Sequence, residues 1–385
     1  MEPAKPARES QFTSPVQPFK VSVLGTRGIP NVLGGVETHC QSLYPSIKAQ
    51  FTDEIDVCVI ARSPYVDYKK SSYQGVATRA VWTPKKQSLE AIIHSTLAAL
   101  TTLFDGSKVV HVHAIGPGLV TPLLRLLGKK VVFTHHGPDY DRQKWGGFAK
   151  KVLQLGEKWA VKYASEVIVI SEVINQIIQQ KHQRFDAHLI YNGVLAPKPL
   201  ATEVQSQHLS QFGLEKGAYL VAVGRFVEEK GFHDLIAAYK MAGIDKKLVI
   251  IGDSDHPSDY SQALKQQASD TDGVILTGFL SGEALQSIFS GAGLFVMPSY
   301  HEGLPIALLE AMSYQLPVVV SDIPANTEVR LDPSVYFPVG DKASLAQKLT
   351  EFSHSSAVNY QSYLDKYDWS LIANQTMAVY RQLMR

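Results

Sequence analysis

Short apolar runs rich in Val and Ile recur along the whole 385-residue chain, and a longer stretch of helical periodicity follows most of them. In the first half, residues 21–24, 55–60, 109–113, 131–134 and 167–170 read as strands, with residues 89–104 and 148–164 as helices among them. The second half repeats the scheme at 219–223, 247–251, 274–276, 294–297 and 318–320. A strand that is apolar on both faces needs cover on both, and helices above and below a parallel sheet supply it. The expected fold is therefore α/β, built as two Rossmann-like domains. The break falls near residues 193–202, where Ala196-Pro197-Lys198-Pro199 interrupts the periodicity. The expected division is a flexible arm over 1–18, an amino-terminal domain over 19–195, a carboxyl-terminal domain over 196–365, and a final helix over 366–385 that crosses back to the first domain.

A hydrophobic content of 45% with 19% charged residues describes a soluble globular protein, not a disordered or fibrous one. Cys40 and Cys58 are too few for a disulfide framework, which fits a reducing cytoplasm. Residues 1–20 hold no apolar core segment and read as neither a signal peptide nor a membrane span. The net charge of +1 hides an asymmetry: residues 1–195 carry 23 Lys and Arg against 15 Asp and Glu, while residues 196–385 carry 14 against 21. A basic first domain suits an anionic partner such as phosphate head groups or a lipid-linked pyrophosphate, with ordinary surface charge as the alternative. No nucleic-acid module is present, so no nucleic-acid partner is expected.

The stretch His301-Glu302-Gly303-Leu304-Pro305-Ile306-Ala307-Leu308-Leu309-Glu310 sets two carboxylates eight positions apart around a Gly-Leu-Pro step. Pro305 suits a first helical position, and the N–H groups of Gly303 and Leu304 then point outward as anion donors, so a pyrophosphate needs no metal there. Eight helical residues advance about 12 Å and turn roughly 80° past two full turns, which places Glu302 and Glu310 poorly for joint acid–base work. Opposite ends of one long ligand suit them better. A glycosidase needs two carboxyl groups about 5 to 9.5 Å apart across one bond. Two solvated helix acids are the plainer alternative.

These residues resemble the E-x7-E signature of family 4 glycosyltransferases of the GT-B fold, which transfer a sugar from a nucleotide donor with retention of configuration. Val223-Gly224-Arg225-Phe226-Val227-Glu228-Glu229-Lys230-Gly231 is similar to that family's phosphate-binding strand end, and Met297-Pro298-Ser299 precedes the acidic motif as the pattern requires. The resemblance covers most of the second half. It implies two parallel sheets facing across a deep cleft.

In the first half, residues 25–37 form a glycine loop that opens a helix, a place where backbone can approach a charged group closely. Gly34 and Gly35 are its candidate donor contacts. The loop lacks the Gly-Lys-Ser/Thr ending of a P-loop and the dinucleotide glycine spacing. Its Gly-Thr-Arg-Gly-Ile-Pro and Gly-Gly-Val-Glu segments resemble a family 4 subgroup described as rhamnosyltransferases or polysaccharide-assembly enzymes.

His111 and His113 end one strand and His135 and His136 end another, so four imidazoles can meet at one cleft edge. No Cys, Asp or Glu sits at ligand spacing among them, and no metal is expected. Thr134-His135-His136-Gly137 is similar to the family's Thr-x-His-Gly segment, which implies that His136 contacts the transferring sugar. The following Asp139, Arg142 and Lys144, with Tyr140 and Trp145, suit an acceptor or a solvated loop. Asp253-Ser254-Asp255 copies the metal-binding D-x-D pattern of a different glycosyltransferase fold, but a turn explains it with less strain. Lys150, Lys151, Lys158 and Lys162 interleave with Phe148, Leu153, Leu155 and Trp159, which reads as a core-facing helix with snorkelling lysines or as a membrane-surface helix.

The resemblance implies that Arg225 and Lys230 take the leaving diphosphate, that Glu310 takes the ribose hydroxyls, and that Glu302, helped by the Gly303 and Leu304 amides, orients the hexose. The expected protein is a retaining hexosyltransferase with no cofactor and no metal requirement, using a nucleotide sugar and a lipid-linked or glycan acceptor in bacterial capsule, exopolysaccharide or O-antigen synthesis. Its expected place is the cytoplasm, or the cytoplasmic face of the inner membrane as a peripheral protein. The alternatives are a GT-B-shaped sugar-nucleotide epimerase and a non-catalytic sugar-nucleotide binding protein.

Overall fold

The computed structural model describes residues 18–32, 34–84, 90–138, 140, 146–254 and 257–385. The arm expected over 1–18 lies, but for Pro18, outside the described residues. The first sheet comprises β1 (Phe19–Leu24), β2 (Ile55–Arg62), β3 (Lys70–Tyr73), β4 (Val76–Val81), β5 (Val109–His113), β6 (Lys130–His135), β7 (Glu166–Val169) and β8 (His188–Leu189). The second comprises β9 (Tyr219–Val223), β10 (Lys247–Ile251), β11 (Val274–Gly278), β12 (Leu294–Met297), β13 (Val318–Ser321) and β14 (Tyr336–Phe337).

Strand order is β3-β4-β2-β1-β5-β6-β7-β8 in the first sheet and β11-β10-β9-β12-β13-β14 in the second. Central strands are apolar on both faces because both are covered: Val21, Val23, Val110, Val112, Val221 and Val249 are all wholly buried. Val21 sits in register between Val57 and Val109, and Leu220 between Leu248 and Leu294.

One pairing departs from the parallel expectation. β3 runs antiparallel to β4 through Gln74 (φ 46°) and Gly75 (φ 81°), the left-handed pair of a two-residue hairpin turn. Its residues Lys70-Ser71-Ser72 are exposed, so as an edge strand they give no apolar signal.

Each sheet reverses its order once, between β1 and β5 and between β9 and β12, and ligands of such sheets bind beyond the carboxyl ends of the strands at those points. The chain also passes between the sheets twice, side by side. The Val194 N–H donates to the Tyr367 carbonyl, and Gly193 lies so close to the Trp369 indole that a Cβ there would meet ring carbon at 2.4 Å. From there the Trp369–Met384 helix, capped by the Asp368 carboxylate, packs on the Gly35–Gln50 helix. Ile372, Ala373, Met377 and Tyr380 join Leu43, Tyr44 and Ile47 in the core beneath the first sheet. The last helix of the sequence therefore completes the first domain.

Candidate active site

Residues after β9 and β12 build one wall of the site. Gly224-Arg225 follow β9, and a tight turn over Glu228–Lys230 leads to Gly231 in the left-handed region (φ 65°). A Cβ on Gly231 would lie 2.2 Å from the Pro298 carbonyl, so only glycine lets this turn seat against the end of β12. The Tyr300 N–H closes the joint by donating to the Glu229 carbonyl at 2.8 Å. The result brings Lys230 onto Glu302: its Nζ donates to Oε1 at 2.6 Å, and the Ser299 Oγ donates to the same oxygen at 2.7 Å. Arg225 stands at the rim, 42% exposed, 3.9 Å from Glu229.

The acidic motif folds differently from the expected continuous helix. The helix spans Ile306–Ser313 and Pro305 is its N-cap, so Glu302 lies in a loop and only Glu310 is helical. The helical spacing assigned to the two carboxylates therefore does not apply. Leu308 and Leu309 are wholly buried beside Glu310, and this burial alone pushes its carboxyl up to about 7. Tyr314, one turn on, is pushed up to about 12 by its own burial and by the Glu310 charge.

The opposite wall comes from β5, β6 and the first helix. Gly303 meets it backbone to backbone: a Cβ on Gly303 would lie 2.8 Å from the His136 carbonyl. The His136 Nε2 lies 2.9 Å from His113 Nδ1, His113 Nε2 lies 2.5 Å from the Tyr44 hydroxyl, and Tyr44 reaches His111. Burial holds His111, His113 and His136 well below the usual histidine range, so all three are neutral.

His135 does not join them, which corrects the expected cluster of four. It accepts the Gly137 N–H on Nδ1 and faces Glu157 at 3.5 Å on the other side of the strand. Its place is taken by His39 from the Gly35–Gln50 helix, whose ring packs edge-on to His136 at 4.9 Å. Neither His39 nor its partner Asn192 stood out in the sequence, because polar residues single in their segments carry no pattern.

Gly34, with φ 142°, is the N-cap of the first helix, and Glu37 folds back to accept the Arg27 N–H at 2.8 Å. A Cβ on Gly34 would strike the Glu37 carboxylate, whereas Gly35 is exposed and open. The acceptor candidates Asp139, Arg142 and Lys144 lie outside the described residues. Asp253 is paired with Lys265 at 2.8 Å, and Asp255 of the D-x-D pattern is outside the described residues. The Gly147–Tyr163 helix packs closely, since a Cβ on Gly156 would meet the Ile115 carbonyl at 2.1 Å, and it turns Lys151, Lys158 and Lys162 outward. No described helix is long and apolar enough to cross a membrane.

Two family models lie along this framework: Glycosyltransferase Family 4 over residues 33–195 and Glycosyl transferases group 1 over residues 205–368. The chain is 26% identical to the alpha-maltose-1-phosphate synthase of Mycolicibacterium smegmatis, over 95% of this chain and all of that protein. It is 24% identical to the capsular polysaccharide biosynthesis glycosyltransferase CapM of Staphylococcus aureus, over 68% of this chain and 72% of CapM. Among solved structures, sucrose-phosphate synthase from Thermosynechococcus elongatus superposes with a TM-score of 0.79 at 21% identity, covering 95% of this chain and 99% of that one. HepE of Anabaena, in complex with UDP and glucose, gives a TM-score of 0.76 at 17% identity, covering 94% of this chain and all of that one. With one model on each sheet and named transferases matching across both, the chain belongs to the group 1 glycosyltransferases of the GT-B fold and is an enzyme of that class.

Proposed function

We propose that this enzyme is a retaining hexosyltransferase that moves a sugar from a nucleoside-diphosphate donor to a lipid-linked or glycan acceptor in cell-surface polysaccharide synthesis. The observation that carries the reading is the Lys230–Glu302–Ser299 cluster at the β9/β12 switch point, with the Gly303 backbone set against His136. A diphosphate entering beside Arg225 gives Lys230 a stronger partner than Glu302. Arg225 supplies a planar fork and Lys230 a point charge to the leaving phosphate, without a metal on the donor. Gly303 and Leu304 amides, together with Glu302, orient the hexose against His136, while Glu310 takes the ribose hydroxyls and Gly34 and Gly35 face the donor from the first domain.

Glu302 is held by two donors on one oxygen, which suits a positioning role better than that of an attacking nucleophile. Transfer then proceeds on one face of the sugar: the anomeric bond to phosphate breaks, the acceptor oxygen bonds to the same face, and its proton passes to the departing phosphate. Asp139, Arg142 and Lys144 are assigned to the acceptor, and the +8 balance of the first half fits an anionic one held at the cytoplasmic face of the membrane.

The test is to incubate purified enzyme with UDP-, GDP-, dTDP- and ADP-hexoses and a lipid-pyrophosphate acceptor, in chelator, and to read product mass and anomeric configuration. UDP-glucose leads the panel because HepE was solved with it. A retained anomer on the acceptor is the expected result. An inverted product, or an epimerised donor released without acceptor, refutes the assignment.

A further inference from the structure

His39, His113 and His136 each offer one ring nitrogen to a common point, and the three atoms lie within 4.8 Å of one another. They come from three separate elements: the Gly35–Gln50 helix, the end of β5, and the first residue past β6. We propose that these three imidazoles form a binding site for one zinc-class divalent cation, and that its occupancy withdraws His136 from the sugar and so lowers transfer. The second half of this statement rests on the role given to His136 above; the first does not.

The outward nitrogens decide which atoms face inward. His39 Nδ1 sits 2.5 Å from the Asn192 Oδ1, an acceptor, so Nδ1 carries the proton and Nε2 is a bare lone pair. That Nε2 is fully buried and has no hydrogen-bond partner among the described residues. A buried lone pair without a donor is unusual, and the His39 ring that carries it packs against two further imidazoles, His113 at 5.4 Å and His136 at 4.9 Å between ring centres. His113 is anchored the same way, with Nε2 against the Tyr44 hydroxyl at 2.5 Å and Nδ1 turned to His136. Two of the three rings, His39 and His113, thus have an oxygen behind them, the usual second layer of a histidine metal site, which fixes the tautomer and raises ligand basicity.

Proton accounting closes without a base. With His113 Nε2–H donating to the Tyr44 oxygen, His136 Nε2–H donates to His113 Nδ1 in the metal-free protein; a shift of that proton to His136 Nδ1 exposes the third lone pair, and no proton leaves the site. Nitrogens about 2.0–2.1 Å from a tetrahedral ion stand roughly 3.3 Å apart, so small ring rotations complete the geometry. An all-imidazole set suits Zn2+, Co2+, Ni2+ or Cu2+ and discriminates against Mg2+ and Ca2+, which require oxygen ligands. His136 is the most exposed of the three, so the ion enters from the cleft.

The experiment uses the full chain, stripped with chelator, titrated with Zn2+ by calorimetry and with Co2+ by visible absorption, for wild type, His39→Leu and Asn192→Leu. Expected are one equivalent of Zn2+ in the wild type, affinity lowered about 10- to 100-fold in Asn192→Leu, and loss of the site in His39→Leu. Tight binding of Mg2+ in place of Zn2+, equal Zn2+ binding by all three proteins, or no Zn2+ binding by the wild type overturns the site. The last result would mean that a water satisfies His39 Nε2. Should His39→Leu fail to fold, Asn192→Leu carries the test, because it leaves all three ring nitrogens in place. Saturating Zn2+ should lower transfer by wild type and not by His39→Leu; equal inhibition of both overturns the link to His136. The binding arm needs no sugar and so stands or falls independently of the transferase reading.

Discussion

Replacing Glu310 by Gln should abolish a pH dependence of donor binding that the wild type shows near neutrality. Burial against Leu308 and Leu309 pushes the Glu310 carboxyl up to about 7, so the donor-free enzyme is mostly protonated there at about pH 6 and mostly ionised at about pH 8. In the proposed complex, ribose hydroxyls donating to the carboxylate would draw its pKa down. The ionised fraction rises from roughly one in eleven to ten in eleven over that interval, so affinity should strengthen about tenfold, or about 1.4 kcal/mol. The sign for folding is opposite. The folded pKa lies above the ordinary glutamate value of 4.5, so the native state holds the extra proton between about 4.5 and 7, and donor-free stability from this group falls as pH rises through that window. Calorimetry with an intact sugar nucleotide is the assay, because its diphosphate diester has no group titrating in this range. In Glu310→Gln the profile should be flat, with affinity at about pH 8 lower by about 1.5–3 kcal/mol from loss of a charged acceptor. A flat wild-type profile, or the same slope in both proteins, refutes the role of Glu310 at the ribose.

Arg225→Ala and Lys230→Ala should each lower kcat by about 100- to 1,000-fold while changing donor affinity far less, checked by steady-state kinetics against direct binding. Glu302→Gln should lower transfer yet tighten nucleoside-diphosphate binding by about tenfold, since Lys230 no longer leaves a charged partner to reach phosphate; calorimetry with UDP decides. Gly303→Ala adds a Cβ 2.8 Å from the His136 carbonyl and should raise KM and lower kcat together, with thermal stability retained. Gly156→Ala drives a Cβ to 2.1 Å from the Ile115 carbonyl and should cost about 1–3 kcal/mol in chemical denaturation, whereas Gly147→Ala on the same helix, with nothing within 4 Å, should cost almost nothing.

The ten strands read from the sequence all exist, because an apolar run covered on both faces carries its signal locally. The β3–β4 hairpin escaped because Lys70-Ser71-Ser72 is an exposed edge. Within the site, the Lys230 and Glu302 neighbourhood was legible as motif spacing around glycines, and Gly231 shows why: its carbonyl neighbour leaves no room for a side chain. Helix phase was not legible there. The helix begins only at Ile306, with Pro305 as its cap, so Glu302 lies in the preceding loop and shares no helical phase with Glu310. Least legible was the imidazole cluster. Residues 39, 113 and 136 are distant in sequence and meet only because β5 lies between β1 and β6, and His135 looked equivalent to His136 until strand alternation sent it to the other face.

The Lys230–Glu302 pair suggests an order of events. Both groups are largely shielded from water, 20% and 10% exposed, so either one stripped of its partner is costly. In the proposed complex a donor would carry a partner for each: its diphosphate for Lys230 and its hexose hydroxyls for Glu302. A nucleoside diphosphate alone satisfies Lys230 but leaves Glu302 with Ser299 only, and a free sugar does the reverse. The intact donor is therefore favoured over either fragment. Cleavage of the anomeric bond removes that advantage, and after transfer Glu302 is again without a sugar. On the proposed roles it would then reclaim Lys230 and help expel the nucleotide product, so that the contact of the donor-free site would also drive release.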